Sequence, residues 1–207
     1  MGNKNQKEQS IIIKKIERGD ITAAIALHEG TIPSAGARMG EPYLRKLYTT
    51  LIEHPDTHFV FGAFENTQLI GVISATNDFS KTSRLLNKQI FSLIPTVLFG
   101  LIKNHYSFTE LVSHAMVKSQ IKKLLDSKTV YIVNLAVDSQ IQRQGVATKL
   151  IEKLLSQSKT KSMLVDTQKS NTTAQKFYKK IGFVPVMEVA DSVIFKFKIT
   201  DIPSASQ

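Results

Sequence analysis

The chain has 207 residues, no cysteine, 42% hydrophobic and 21% charged residues, and a formal net charge of +10. Without cysteine there can be no disulfide, thiolate zinc site or cysteine nucleophile, and the length fits one domain, or one with an insertion, around a sizeable core. The positive charge favours anionic partners, but it is spread along the chain with no lysine–arginine block and no aromatic–basic motif, so direct nucleic-acid binding is disfavoured.

In chain order, Met1 to Gln9 is polar and reads as a disordered tail without a signal-peptide core; Gln6 breaks the myristoylation pattern that Gly2 invites. Ser10 to Ile16 reads as a first strand. Asp20 suits a helix N-cap, with Ile21, Ala24, Ile25 and Leu27-His28 following at helical spacing up to Gly30. After a loop with Pro33, Gly36 and Gly40, Tyr43 to Glu53 presents Leu44, Leu47, Tyr48 and Leu51 on one helix face. His58 to Phe64 and Leu69 to Ala75 read as a hairpin around Glu65-Asn66-Thr67-Gln68.

Residues 77–127 read as a helical insertion, with a helix from about Phe108 to Leu125. The apolar run Ile90 to Ile102 contains Pro95 and Gly100 and is too short to span a bilayer. It is expected to pack on the core as a helix or lid; the sharper reading is a wall for an apolar acceptor or a longer acyl chain.

Thr129 to Val137 is nearly all apolar and β-branched, which fits a central strand buried on both faces. A short polar loop follows, and then a helix from Gly145 to Gln157 with Val146, Leu150, Ile151, Leu154 and Leu155 on one face. A helix N-terminus carries unpaired N–H groups and the positive end of the dipole, so it attracts phosphate. Gly145 and Ala147 leave room for one, and Arg143 adds a donor fork. Ser162 to Asp166 is a further strand and Asn171 to Lys180 a helix closed by Gly182. Phe183 to Val189 and Val193 to Ile199 complete the sheet, and Asp201 to Gln207 is a frayed tail. The order strand–helix–strand implies a right-handed crossover with the phosphate loop at the carboxyl end of the first strand.

Two segments together resemble a known family. Leu135-Ala136-Val137 followed by Gln142-x-x-Gly145-x-Ala147 is similar to the acetyl-CoA motif of the GNAT N-acetyltransferases, Q/R-x-x-G-x-G/A. Asn171 to Phe183 resembles the second motif, N-x-x-A-x-x-F/Y-Y-x-x-x-G-F. The resemblance is tight from Tyr131 to Pro185 and only outlined from Ile11 to Ala75; residues 77–127 exceed the simple family plan, on the acceptor side.

The resemblance implies a single-domain mixed α/β (α+β) acyl-CoA N-acyltransferase fold over residues 10–200, and an enzyme that moves acetyl from acetyl-CoA to an unknown primary amine. It implies a central strand splayed from its neighbour, with Leu135, Ala136 and Val137 lining the pantetheine arm. The N–H groups of Arg143, Gln144, Gly145, Val146, Ala147 and Thr148 would hold the pyrophosphate, Asn171 would bond the arm, and Tyr178 would protonate the leaving thiolate as well as touch the cofactor. Tyr178 reads equally as a core tyrosine, and Asn171 as a helix N-cap.

The central strand offers no carboxylate base, so Glu29, or a base acting through water, is the candidate. The five histidines do not pair into ligands: Pro55 and Asp56 separate His54 from His58, and His105 and His114 would fall on opposite sides of a helix, so no metal is expected. A cytoplasmic enzyme is the expectation, with a homodimer left open. A catalytically silent acyl-CoA sensor is the alternative; a basic nucleic-acid binder, with salt-sensitive binding, is a third.

Overall fold

The computed structural model describes residues 10–32, 40–91 and 108–199. Both expected tails, the loop glycine and proline at 36 and 33, His105 and residues 92–102 of the apolar run lie outside them. The elements in order are β1 (Ile11–Lys15), α1 (Ile21–Thr31), α2 (Glu41–Glu53), β2 (His58–Glu65), β3 (Gln68–Thr76), α3 (Phe79–Phe91) and α4 (Phe108–Leu124). Then follow β4 (Thr129–Val137), α5 (Val146–Ser158), β5 (Ser162–Gln168), α6 (Thr172–Lys180), β6 (Val184–Val189) and β7 (Ser192–Lys198). The strands form one sheet in the order β1-β2-β3-β4-β5-β7-β6. Only β4 and β5 run parallel; every other pair is antiparallel. This mixed α/β sheet is the expected class.

Local sequence explains most boundaries. Glu65 pairs with Gln68, leaving the loop Asn66-Thr67, and Asn66 takes the left-handed φ of 54° that such a turn demands. In α2, Leu44, Leu47, Tyr48 and Leu51 are all buried, and Pro42 sits in the first turn, where no N–H is missed. In α5 the buried face is Val146, Leu150, Ile151 and Leu154. Gly182, at φ 94°, ends α6.

Two readings need correction. Asp20 precedes α1 but makes no side-chain cap; its carboxylate turns back to accept from the Glu17 N–H at 2.9 Å. The strand β4 is not uniformly buried on both faces: Tyr131, Val133, Leu135 and Val137 are half-buried between fully buried neighbours. The pairing also slips there. Ser74 faces Asn134 and Ala75 faces Ile132, so Val133 is the extra residue of a bulge.

The helices cover both faces. One core joins α5 and α6 to the sheet through Val146, Leu150, Tyr178, Phe183 and Phe195. Helices α1 and α2 pack on the opposite face. A third cluster seats α4 through Val117 and Ile121 on Leu164 and Ile194, with Phe79 and Tyr131 at its edge. The insertion is thus docked onto the sheet, on the face away from α5.

Candidate active site

The site forms where β4 and β5 part. Their ladder contains only Thr129–Ser162, Val130–Met163 and Tyr131–Leu164. Beyond Tyr131, β4 keeps its β3 partner through Val137, but no β5 register continues. The edge of residues 132–137 that faces β5 therefore has no ladder partner among the described residues. Its polar backbone groups seek one, because backbone N–H and C=O are obligatory hydrogen-bonding groups. Leu135, Ala136 and Val137 lie on this stretch, with Leu135 and Val137 directed to the α5 core and Ala136 to the α1–α2 core.

The loop after β4 is built to expose N–H groups. The Asp138 N–H bonds the Ile70 carbonyl at 2.9 Å, and the Asp138 side chain caps the turn Ser139–Ile141 by accepting from the Gln140 N–H. Gln142 reaches back to the Val137 carbonyl. Arg143 and Gly145 both take left-handed φ, 69° and 81°. Gly145 is the N-cap of α5, and a Cβ there would meet nothing within 4 Å. The glycine is therefore required by its backbone angle, and the space before it is open. The first intrahelical bond runs from Lys149 N–H to the Gly145 carbonyl, so the N–H groups of Val146, Ala147 and Thr148 point out of the helix start. Arg143 and Gln144 are exposed beside them. This is a cradle for an anion such as phosphate.

Asn171 is the N-cap of α6: its Oδ1 accepts from the Ala174 N–H at 3.0 Å. Tyr178, two turns on, is buried among the rings of Phe177, Phe183 and Phe195. Burial, and then the nearby Asp166 charge, push its hydroxyl well above the ordinary phenol range, so it is a held proton at neutral pH.

The neighbouring strand β5 carries a carboxylate just past the end of the ladder. Asp166 sits on β5 two residues past the last β4–β5 pair, and its Oδ1 accepts from the Tyr131 hydroxyl at 2.5 Å. Burial raises Asp166 above the usual carboxylate range, opposed by the Tyr131 bond and by the charges of His114 and Lys118 from α4. A raised carboxylate is a better proton acceptor near neutral pH. Sequence reading stops at Asp166 as a strand end. The available signal was an acid closing an apolar strand a few residues before Asn171; that it meets Tyr131 beside the strand separation follows only from the fold.

Glu29 is exposed near the end of α1, just before residues outside the description. His28 is buried against the Tyr48 hydroxyl at 3.2 Å. His54 and His58 stack edge to face, with His58 Nδ1 on the His54 carbonyl. No group of three metal-ligating side chains occurs among the described residues, and no helix among them is long and apolar enough to cross a membrane.

Comparison with known proteins places these features. The profile of the Acetyltransferase (GNAT) family matches residues 24–183. The [ribosomal protein bS18]-alanine N-acetyltransferase of Haemophilus ducreyi is 41% identical over 63 residues, 29% of this chain; the match spans 42% of that relative's length. Among solved structures, the PaiA N-acetyltransferase of Thermoplasma acidophilum in complex with coenzyme A superposes with a TM-score of 0.60 at 15% identity, covering 92% of this chain and 99% of that one. The ribosomal-protein-S18-alanine N-acetyltransferase of Escherichia coli gives 0.58 at 13% identity, covering 96% and 99%. Both share the fold.

Proposed function

This chain belongs to the GNAT family of acetyltransferases, and from that premise we propose that it transfers acetyl from acetyl-CoA to a primary amine, with Asp166 as general base and Tyr178 as general acid. The observation that carries the assignment is the strand separation after Tyr131–Leu164, which leaves a β4 edge open between a phosphate cradle and two proton-transfer groups. Residues 132–137 offer a strand-like edge to an extended, amide-bearing arm. The N–H groups from Arg143 to Thr148 suit a pyrophosphate, and Asn171 lies beside the arm's path, though its Oδ1 is already committed to capping α6.

The donor supplies an activated thioester; the protein aligns and moves protons. Asp166 takes a proton from the incoming amine, whose nitrogen bonds to the acyl carbon as the C–S bond breaks. Tyr178 gives its proton to the departing sulfur. The candidate donor to the oxygen on which charge builds is a backbone N–H near Leu135 to Val137. Holding amine and thioester in one cleft supplies much of the rate, without a covalent enzyme intermediate. Asp166 replaces Glu29 as the base in this reading because it lies in the cleft with Tyr131 and within electrostatic reach of Tyr178. The two relatives named as ribosomal protein S18-alanine N-acetyltransferases make a peptide with a free alanine amine the first acceptor to try.

Tyr178→Phe is expected to lower kcat by roughly 10²-fold or more while acetyl-CoA affinity holds. Asp166→Asn should cost a similar factor and remove the fall in rate on the acid side, since the base works only when deprotonated. Unchanged kcat in both variants would sink the assignment. A wild-type protein that binds acetyl-CoA but acetylates no amine in a broad panel would instead be an acyl-CoA sensor.

A further inference from the structure

Helices α3 and α4 enclose an open cavity of about 500 Å³, lined by Phe79, Ser80, Ser83, Arg84, Asn87 and Lys122. We infer that this cavity is the acceptor subsite, and that it selects an amine whose carrier bears a carboxylate a few bonds from the reacting nitrogen. The inference rests on the acetyltransferase reading and adds the substrate class to it.

Position comes first. The Phe79 ring forms one wall of the cavity and packs edge to face on Tyr131, with 5.1 Å between centroids. Tyr131 in turn holds Asp166. Two rings, Phe79 and Tyr131, therefore link the cavity wall to the proposed base. Side chains alternate across a strand, and Val130 and Ile132 face the α5 core, whereas Tyr131 joins the α4 cluster. The cavity thus opens on the sheet face opposite the phosphate cradle, where an amine can approach without crossing the donor's path.

Charge comes second. Residues 77–127 hold seven Lys and Arg against three Asp and Glu. On α3 the lining residues Ser80, Ser83, Arg84 and Asn87 recur at i, i+3, i+4 and i+7, one polar stripe with no acid on the helix. On α4, His114, Lys118 and Lys122 fall four apart; the first two lie close enough to Asp166 to hold it down, and the last lines the cavity. A basic track thus runs from the proposed base into the pocket. Arg84 and Lys122 supply donors for a carboxylate, and the serines and Asn87 add neutral ones. The volume lies in the range of small-ligand pockets, enough for a residue or two of a peptide.

The test uses two C-terminally amidated tripeptides with a free N-terminal alanine, one continuing Asp-Glu and the other its carboxylate-free twin Asn-Gln, with CoA release for turnover and calorimetry for binding. The acidic peptide is expected to be favoured at least tenfold in kcat/KM. In the Arg84→Glu, Lys122→Glu double variant that preference should fall below threefold, through KM; acetyl-CoA affinity and thermal melting confirm that the fold persists. Equal use of both peptides by the wild type, or a preference that survives charge reversal, would overturn the subsite. If neither peptide is acetylated, calorimetry decides separately. Acidic-peptide binding abolished by the double variant upholds the pocket while the transferase reading falls; no binding of the acidic peptide rejects the pocket.

Discussion

A histidine that folding keeps neutral makes stability depend on pH, and the described residues include two. His28 and His58 are each pushed from an ordinary 6.5 down to about 4, chiefly by burial. His58 is also tied down on both nitrogens, to the His54 carbonyl and, at 2.8 Å, to the Thr82 hydroxyl at the start of the insertion. The folded pKa is depressed, so the unfolded chain binds the proton first. The contribution is complete above pH 6.5 and is lost as pH falls toward 4. Each histidine can cost up to about 1.4 kcal/mol per pH unit across that window. Urea midpoints measured from pH 7 to pH 4.5 should fall, and His58→Gln should flatten the decline; an unaltered slope would show that His58 does not titrate this way. At this scale the sequence was partly readable. Tyr178 could be placed because its helix spacing is local. Asp166 could not, because its value as a base depends on two strands separating, and on Tyr131, 35 positions earlier, bonding it.

Among the elements, the seating of α5 matters most, because its first turn carries the outward N–H groups proposed to hold phosphate. Gly71 on β3 lies under it, paired with Val137 of β4. A Cβ at Gly71 would come within 2.9 Å of Val146 Cγ1, 3.1 Å of Leu150 Cδ1 and 3.4 Å of the Ala136 carbonyl oxygen. Two of these atoms belong to α5 and the third to the strand that the donor would line, so the added methyl lifts the helix start. Gly71→Ala is expected to destabilise by about 1–3 kcal/mol, as overpacking does. It should also weaken acetyl-CoA binding more than Gly62→Ala, whose crowding falls on Ile16, Leu69 and Phe64, away from the cradle. Isothermal titration on both variants checks this; equal losses would mean that Gly71 acts only through global stability. The Gly145 boundary was legible because a left-handed N-cap is a local demand. The β4 faces were not: the bulge at Val133 is created by register with Ser74 and Ala75 on another strand. Asp20 misled for the opposite reason, since a nearer donor, the Glu17 N–H, captured its carboxylate.

For the molecule as a whole, the sheet is divided after Tyr131–Leu164, and in the proposed function the donor would take the place of the missing ladder. Six of the nine residues of β4 lie beyond its last pairing with β5. Where the ladder ends, the Tyr131 hydroxyl of β4 bonds the Asp166 carboxylate of β5, a side-chain link in place of backbone pairing. Opening at the split should therefore be easier than global unfolding, and a ligand spanning it should close it. Hydrogen exchange is expected to show the outward amides of residues 132–137 unprotected in the free protein and slowed at least tenfold by acetyl-CoA, while the amides of β2 change little. At a hundredfold excess over Kd the gain is about 2.7 kcal/mol. For a chain of this size that raises Tm by roughly 5–10 °C. A thermal shift without protection on β4 would place the donor elsewhere. Protection at the cradle alone, with residues 132–137 unchanged, would leave the phosphate site intact but deny β4 its role as the strand on which the acyl arm is laid.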